Sequence, residues 1–112
     1  EPNQPPVVSA DIETAVRSGA AITTVLLNNS AMATYSGPTR GTIGEEARER
    51  YGVSRMQGDY AKIAEGMGAV GIKVTKVSEI GPALKEAQRL NAEKKTVLID
   101  VLANVEERRS KF

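Results

Sequence analysis

Apolar positions along this chain follow two rhythms. Ile12, Ala15 and Val16 recur at helical spacing behind Ser9, which reads as an N-cap. Asp11 and Glu13 suit the first turn of that helix, and Gly19 its end. Residues 21–27 then run almost unbroken in β-branched and aliphatic side chains, which predicts a strand covered on both faces. The pattern breaks over 28–58, with turn signals at Gly37-Pro38 and Arg40-Gly41 and a short polar helix predicted over 44–51. Helical spacing returns behind Asp59 as cap, with Tyr60, Ile63, Ala64 and Met67 as the stripe. Residues 70–74 read as a short strand. Ser78 reads as the cap of a longer helix with Ile80, Ala83, Leu84, Ala87 and Leu90 on one face and Pro82 in its tolerant first turn. Residues 96–103 form the last buried strand.

Helices alternating with apolar strands predict an α/β domain, a three-layer αβα parallel sheet of Rossmann-like type. The order opens on a helix, and three strands make a thin sheet. The fold is therefore expected to be incomplete at the N-terminus. Residues 1–8 form a Pro-rich leader holding Pro2, Pro5 and Pro6, 9–105 the partial domain, and 106–112 a charged tail.

Composition narrows the chemistry. With 15 basic and 14 acidic residues and a net charge of +1, no electrostatic case exists for a nucleic-acid or membrane partner. Three Tyr and one Phe, with no Trp, make a poor base-stacking platform. The chain lacks both Cys and His, which removes disulfides, zinc sites, thiol nucleophiles and imidazole catalysis. Any metal would be a hard cation on oxygen ligands. The uncharged stretch 18–39 contains Arg-free but Thr-, Asn-, Ser- and Gly-rich sequence, unlike the about 20 mainly apolar residues of a membrane span. No signal-peptide pattern is present, so a cytoplasmic location is the expectation.

Two motifs invite a functional reading. Residues 66–71 spell G-x-G-x-x-G, but a dinucleotide fingerprint needs those glycines between a strand and the helix after it. Here they follow a helix and precede a strand, so they serve to close one and start the other. Asn28-Asn29 stands at the C-terminal end of an apolar strand, where open α/β sheets place ligands. An asparagine oxygen suits Mg²⁺ or Ca²⁺; equally, Asn-Asn-Ser makes a turn by bonding its own backbone. Glu45-Glu46 and Arg48-Glu49-Arg50 read as a solvated helix face, and Arg40 as a loop residue able to meet an anion.

The segment 11–17 (DIETAVR), the strand at 22–27 and Asn28-Asn29 together resemble the cofactor domain of thiamine-diphosphate-dependent enzymes. Residues 58–68 (GDYAKIAEGMG) resemble the matching helix of the acetolactate synthase and decarboxylase branch, and 78–87 and 97–101 resemble the next helix and closing strand. The likeness covers about 9–103. It implies thiamine diphosphate and Mg²⁺ as cofactors, with the Asn29 side-chain oxygen and the Ala31 backbone carbonyl as metal ligands. Ser30, Ala31 and Met32 would lie near the diphosphate. The family's Gly-Asp-Gly metal motif would fall on Glu1-Pro2-Asn3, where Pro2 supplies no carboxylate.

The resemblance also implies a pyrimidine-binding domain, from the same or another subunit of a homo-oligomer, that carries the activating glutamate. The resulting expectation is a C-terminal domain fragment of an acetolactate synthase-like or 2-oxo acid decarboxylase-like enzyme, with little or no activity alone. The alternative is a non-catalytic α/β domain that uses the same scaffold for protein association. A generic small-molecule domain with an accidental Asn-Asn is the third reading.

Overall fold

A computed structural model describes residues 7–30 and 58–104, with side chains in the first segment from Asp11 onward. The elements are α1 (Val7–Ser18), β1 (Thr23–Asn28), α2 (Tyr60–Gly66), β2 (Val70–Val74), α3 (Ile80–Ala92) and β3 (Val97–Leu102). The strands form one sheet in the order β1-β3-β2, and both pairings are parallel. Thr23 and Val70 both register with Val97, so β3 is flanked along nearly its whole length.

Side-chain alternation on β3 builds two cores. Val97, Ile99 and Val101 point to one face, where Val74 of β2 and Ala83, Ala87 and Leu90 of α3 cover them. Leu98 points to the other, against Ile12 of α1, Ala64 of α2 and Ala69. Helices lie on both faces of a parallel sheet, as the alternating pattern predicted.

Each helix ends for a local reason. Gly19 takes φ +71 and Gly68 takes φ +92, left-handed values that glycine adopts without a Cβ penalty. Ala20 N–H then bonds the Ala15 carbonyl at 2.9 Å, and Ala69 N–H the Ala64 carbonyl at 3.0 Å, closing both helices in the same way. Gly71 has a different role: a Cβ there would overlap the backbone carbonyl of Ala61, so its absence lets α2 lie close on β2. The glycines at 66–71 thus turn and pack the chain.

Four sequence expectations change. Helix α1 already includes Val7 and Val8, so Ser9 is a helical residue and no cap, and Asp11 and Glu13 fall beyond the first turn, which holds no acidic residue. Strand β1 is not covered on both faces: Val25 is 47% and Leu27 75% exposed. Among the described residues it has one neighbour, β3, and so lies at the edge of the sheet, while α3 sits over β2 and β3. Ile63 and Leu84, expected in the helical stripes, are exposed, since the buried side of α2 is Ala61 and Ala64 and that of α3 is Ala83, Ala87 and Leu90.

Finally, Ser78 does not cap α3. A 3₁₀ turn at Val77–Glu79 leads into it, and the Glu79 carboxylate folds back to accept the N–H groups of Thr75 (3.0 Å) and Lys76 (2.9 Å). The predicted helix over 44–51 and the tail 106–112 lie outside the described residues.

Asn91 near the end of α3 ties that helix to the start of β1. Its Oδ1 accepts from the Thr23 hydroxyl at 2.8 Å, and its Nδ2 donates to the carbonyls of Lys95 (2.9 Å) and Ile22 (3.3 Å). The edge strand is therefore held by side-chain bonds as well as by its ladder with β3.

Candidate functional site

Because all three strands are parallel, their C-terminal ends open on one edge of the sheet, the position where α/β domains take ligands. Asn28, Asn29 and Ser30 follow β1 there. The N-terminus of α2 meets the same edge with Asp59, and Lys73 and Asp100 stand on it near the ends of β2 and β3.

The two asparagines have separate tasks. Asn28 is buried, and its Oδ1 accepts from the Ser30 N–H at 2.8 Å and from the Ser30 hydroxyl at 3.2 Å. Ser30 sits at φ 55, a left-handed conformation that this side-chain turn supports. Meanwhile the Asn28 carbonyl accepts from Ala103 N–H at 2.8 Å, extending the β1–β3 ladder by one bond. Asn29, between two fixed residues, is exposed. The turn reading holds for Asn28, while Asn29 follows it, exposed, at the C-terminal edge of the sheet. Ala31, Met32, Arg40 and the Glu1-Pro2-Asn3 slot lie outside the described residues.

A cavity of about 730 Å³ opens between α1, α2 and β1. Ile12, Leu26, Ile63 and Met67 give it apolar walls, and Asn29 and Ser30 stand on its rim. The exposed Ile63 of α2 belongs to this wall. Among the described residues no group of three or more His, Cys, Asp or Glu side chains is placed to hold a metal.

Three residues of this edge were not singled out in the sequence. Asp59, read only as a cap, bonds Lys62 N–H at 3.2 Å and also takes the Lys73 ammonium at 2.9 Å. Those donors, Lys73 first, hold its carboxyl below the usual carboxylate range. Lys73 stood as a lone polar residue in a short strand. Asp100 stood as a lone acid inside the apolar run 97–101, and that mismatch was the available signal.

The comparisons agree with this geometry. The profile described as "Thiamine pyrophosphate enzyme, C-terminal TPP binding domain" matches residues 7–101, which spans every element from α1 into β3. A Bacillus subtilis (strain 168) protein named "Putative thiamine pyrophosphate-containing protein YdaP" is 39% identical over 99 residues. That alignment takes in 86% of this chain and 16% of the relative, so the chain spans about a sixth of the protein it matches. Thiamine pyrophosphate and thiamine diphosphate are one compound. With a parallel sheet layered by helices and a match over most of its length, this chain belongs to the family of thiamine pyrophosphate enzymes, as a C-terminal TPP-binding domain.

Proposed function

We propose that this chain supplies the diphosphate- and Mg²⁺-binding half of an active site in an acetolactate synthase-like or 2-oxo acid decarboxylase-like enzyme. The observation that carries the reading is the turn after β1, in which buried Asn28 fixes the backbone and leaves Asn29 exposed at the ligand edge. The donor set fits the group. A neutral amide oxygen is a hard ligand for Mg²⁺, and the phosphate oxygens of the cofactor would add further hard oxygen donors and negative charge. Asn29 would hold the ion by its side chain and Ala31 by its backbone carbonyl, with Ser30 and Met32 beside the diphosphate.

When bound, thiamine diphosphate supplies an electron sink for cleavage next to a carbonyl. The protein's share is to anchor and orient it. The cavity walls of Ile12, Leu26, Ile63 and Met67 would set apolar surface beside the anchor. A pyrimidine-binding domain, from the same or a second subunit of an oligomer, would complete the site. The isolated chain is expected to turn over no 2-oxo acid.

Calorimetric titration of thiamine diphosphate into the chain, with Mg²⁺ and then with EDTA, tests the reading. Binding should require Mg²⁺ and be lost in Asn29→Ala. Equal heats from Asn29→Ala, or from wild type in EDTA, would overturn the metal assignment.

A further inference from the structure

Asp100 has no part in the site as described so far, and its surroundings call for a partner. It lies on the central strand with an exposure of 1%, and neither carboxylate oxygen accepts a hydrogen bond. A buried carboxylate without donors is among the costliest groups a fold can carry, and an apolar residue in its place would cost nothing comparable. A donor within reach is the economical explanation for keeping it.

Register limits the candidates. Asp100 pairs with Leu26 on β1 and Lys73 on β2, and alternation puts it on the Leu98 face with them. Leu26 has no polar group, and the Lys73 ammonium reaches out to Asp59 at 2.9 Å and makes no bond to Asp100. Tyr60 directs its phenol toward Gly58, where a Cβ would meet the ring tip. The diagonal neighbours on β1 are Thr24 and Asn28, which register with Leu98 and Leu102, two positions to either side of Asp100. Thr24 carries its hydroxyl on Cβ, too close to its own backbone to cross that gap. Asn28 carries an amide one bond further out. Its Oδ1 is taken by Ser30, while its Nδ2 makes no hydrogen bond to any described residue.

We infer that Asp100 is a positioning residue for the ligand turn: its carboxylate takes the Asn28 Nδ2–H across one diagonal of the β1–β3 ladder, a bond that the structure, with both carboxylate oxygens unpartnered, does not itself contain. A carboxylate can only accept, so it selects one orientation of the Asn28 amide, with Nδ2 toward β3 and Oδ1 toward Ser30. The backbone on either side of Asn29 is then fixed from the core. This rests on the proposed role of Asn29 as a ligand and names what holds that ligand in place.

The test uses the ¹⁵N-labelled full chain, with the Asn28 side-chain amide signal assigned by its loss in Asn28→Ser. In wild type that amide should be shifted and protected from solvent exchange. Asp100→Leu should abolish both effects and weaken Mg²⁺-dependent thiamine diphosphate binding about tenfold, the scale of losing a supporting contact behind a metal ligand. Thermal stability should hold or rise in that variant. Asp100→Asn, which keeps an acceptor oxygen, should restore the amide signal and most of the affinity.

An Asn28 amide indifferent to Asp100→Leu would overturn the inference. So would a response that moves instead to the Lys73 ammonium or the Thr24 hydroxyl. Should the wild-type chain bind no cofactor, the ligand assignment falls, but the amide spectra still decide the Asn28–Asp100 contact.

Discussion

Replacing Gly71 by alanine tests the close packing of α2 on β2. A Cβ built on Gly71 comes within 2.7 Å of the Ala61 carbonyl carbon and 2.8 Å of its Cα, and nearer still to the carbonyl oxygen. Ordinary contact begins at 3.4 Å, so α2 must retreat by the difference, 0.7 Å at the carbon and more at the oxygen. The obstacle is backbone, which cannot swing aside as a side-chain tip can. Such overpacking costs about 3 kcal/mol, the upper part of the usual range. For a domain of this size that is a fall in Tm of roughly 12 °C or more.

Circular dichroism melts of Gly71→Ala and wild type measure it. Gly81→Ala is the control: nothing lies within 4 Å of a Cβ there, and the helical position should gain about 0.5 kcal/mol. A Gly71→Ala melt within a degree or two of wild type would refute the reading that α2 depends on a glycine beneath it.

Other perturbations should separate the core, the edge strand and the caps. Ile99→Ala, at a residue 2% exposed in the α3-side core, should cost about 3–4 kcal/mol, read as a lower urea midpoint at unchanged slope. Leu27→Lys, at a residue facing solvent on the edge strand, should change stability by less than about 0.5 kcal/mol. In sedimentation velocity it should also reduce any concentration-dependent association, since charge on an open edge opposes pairing. Asp59 and Glu79 are both held below their ordinary values of 3.8 and 4.5, Asp59 chiefly by Lys73 and Glu79 chiefly by the Thr75 N–H. A depressed carboxyl stabilises the fold above its ordinary value and loses that contribution as pH falls through the lowered one. Urea midpoints should therefore decline from about pH 5 downward, and Asp59→Asn should flatten part of that decline.

What the sequence made legible followed from local signals. Strand β2 was readable to the residue because Gly68 isolates it, and β3 nearly so because its apolar run ends in charge. The edge position of β1 was not, since a run such as 21–27 looks the same whether one strand or two will flank it. Ser78 seemed the natural cap of α3, but a glutamate one residue on reaches back further than a serine can. At the site, Asn28-Asn29 was visible as a dipeptide. Its division into a turn-maker and an exposed residue depends on which side chain faces the sheet, and strand parity decides that. Asp100 sat in plain view within an apolar run, yet its isolation becomes evident only once register brings Leu26 and Lys73 alongside it.

The order of the strands bears on how the domain forms. In the sheet, Val97 is 27 positions beyond Val70 but 74 beyond Thr23. Closing the longer loop costs about 0.9 kcal/mol more chain entropy, from the logarithm of that ratio. The β2–α3–β3 unit is contiguous in sequence and owns the α3-side core, which makes it the favoured folding nucleus. Strand β1, paired with β3 alone among the described strands, is expected to dock onto it afterwards. Amide exchange should thus be slowest in β3 and faster through β1, and the Asn28–Ser30 turn is assembled in the last cooperative step and released in the first.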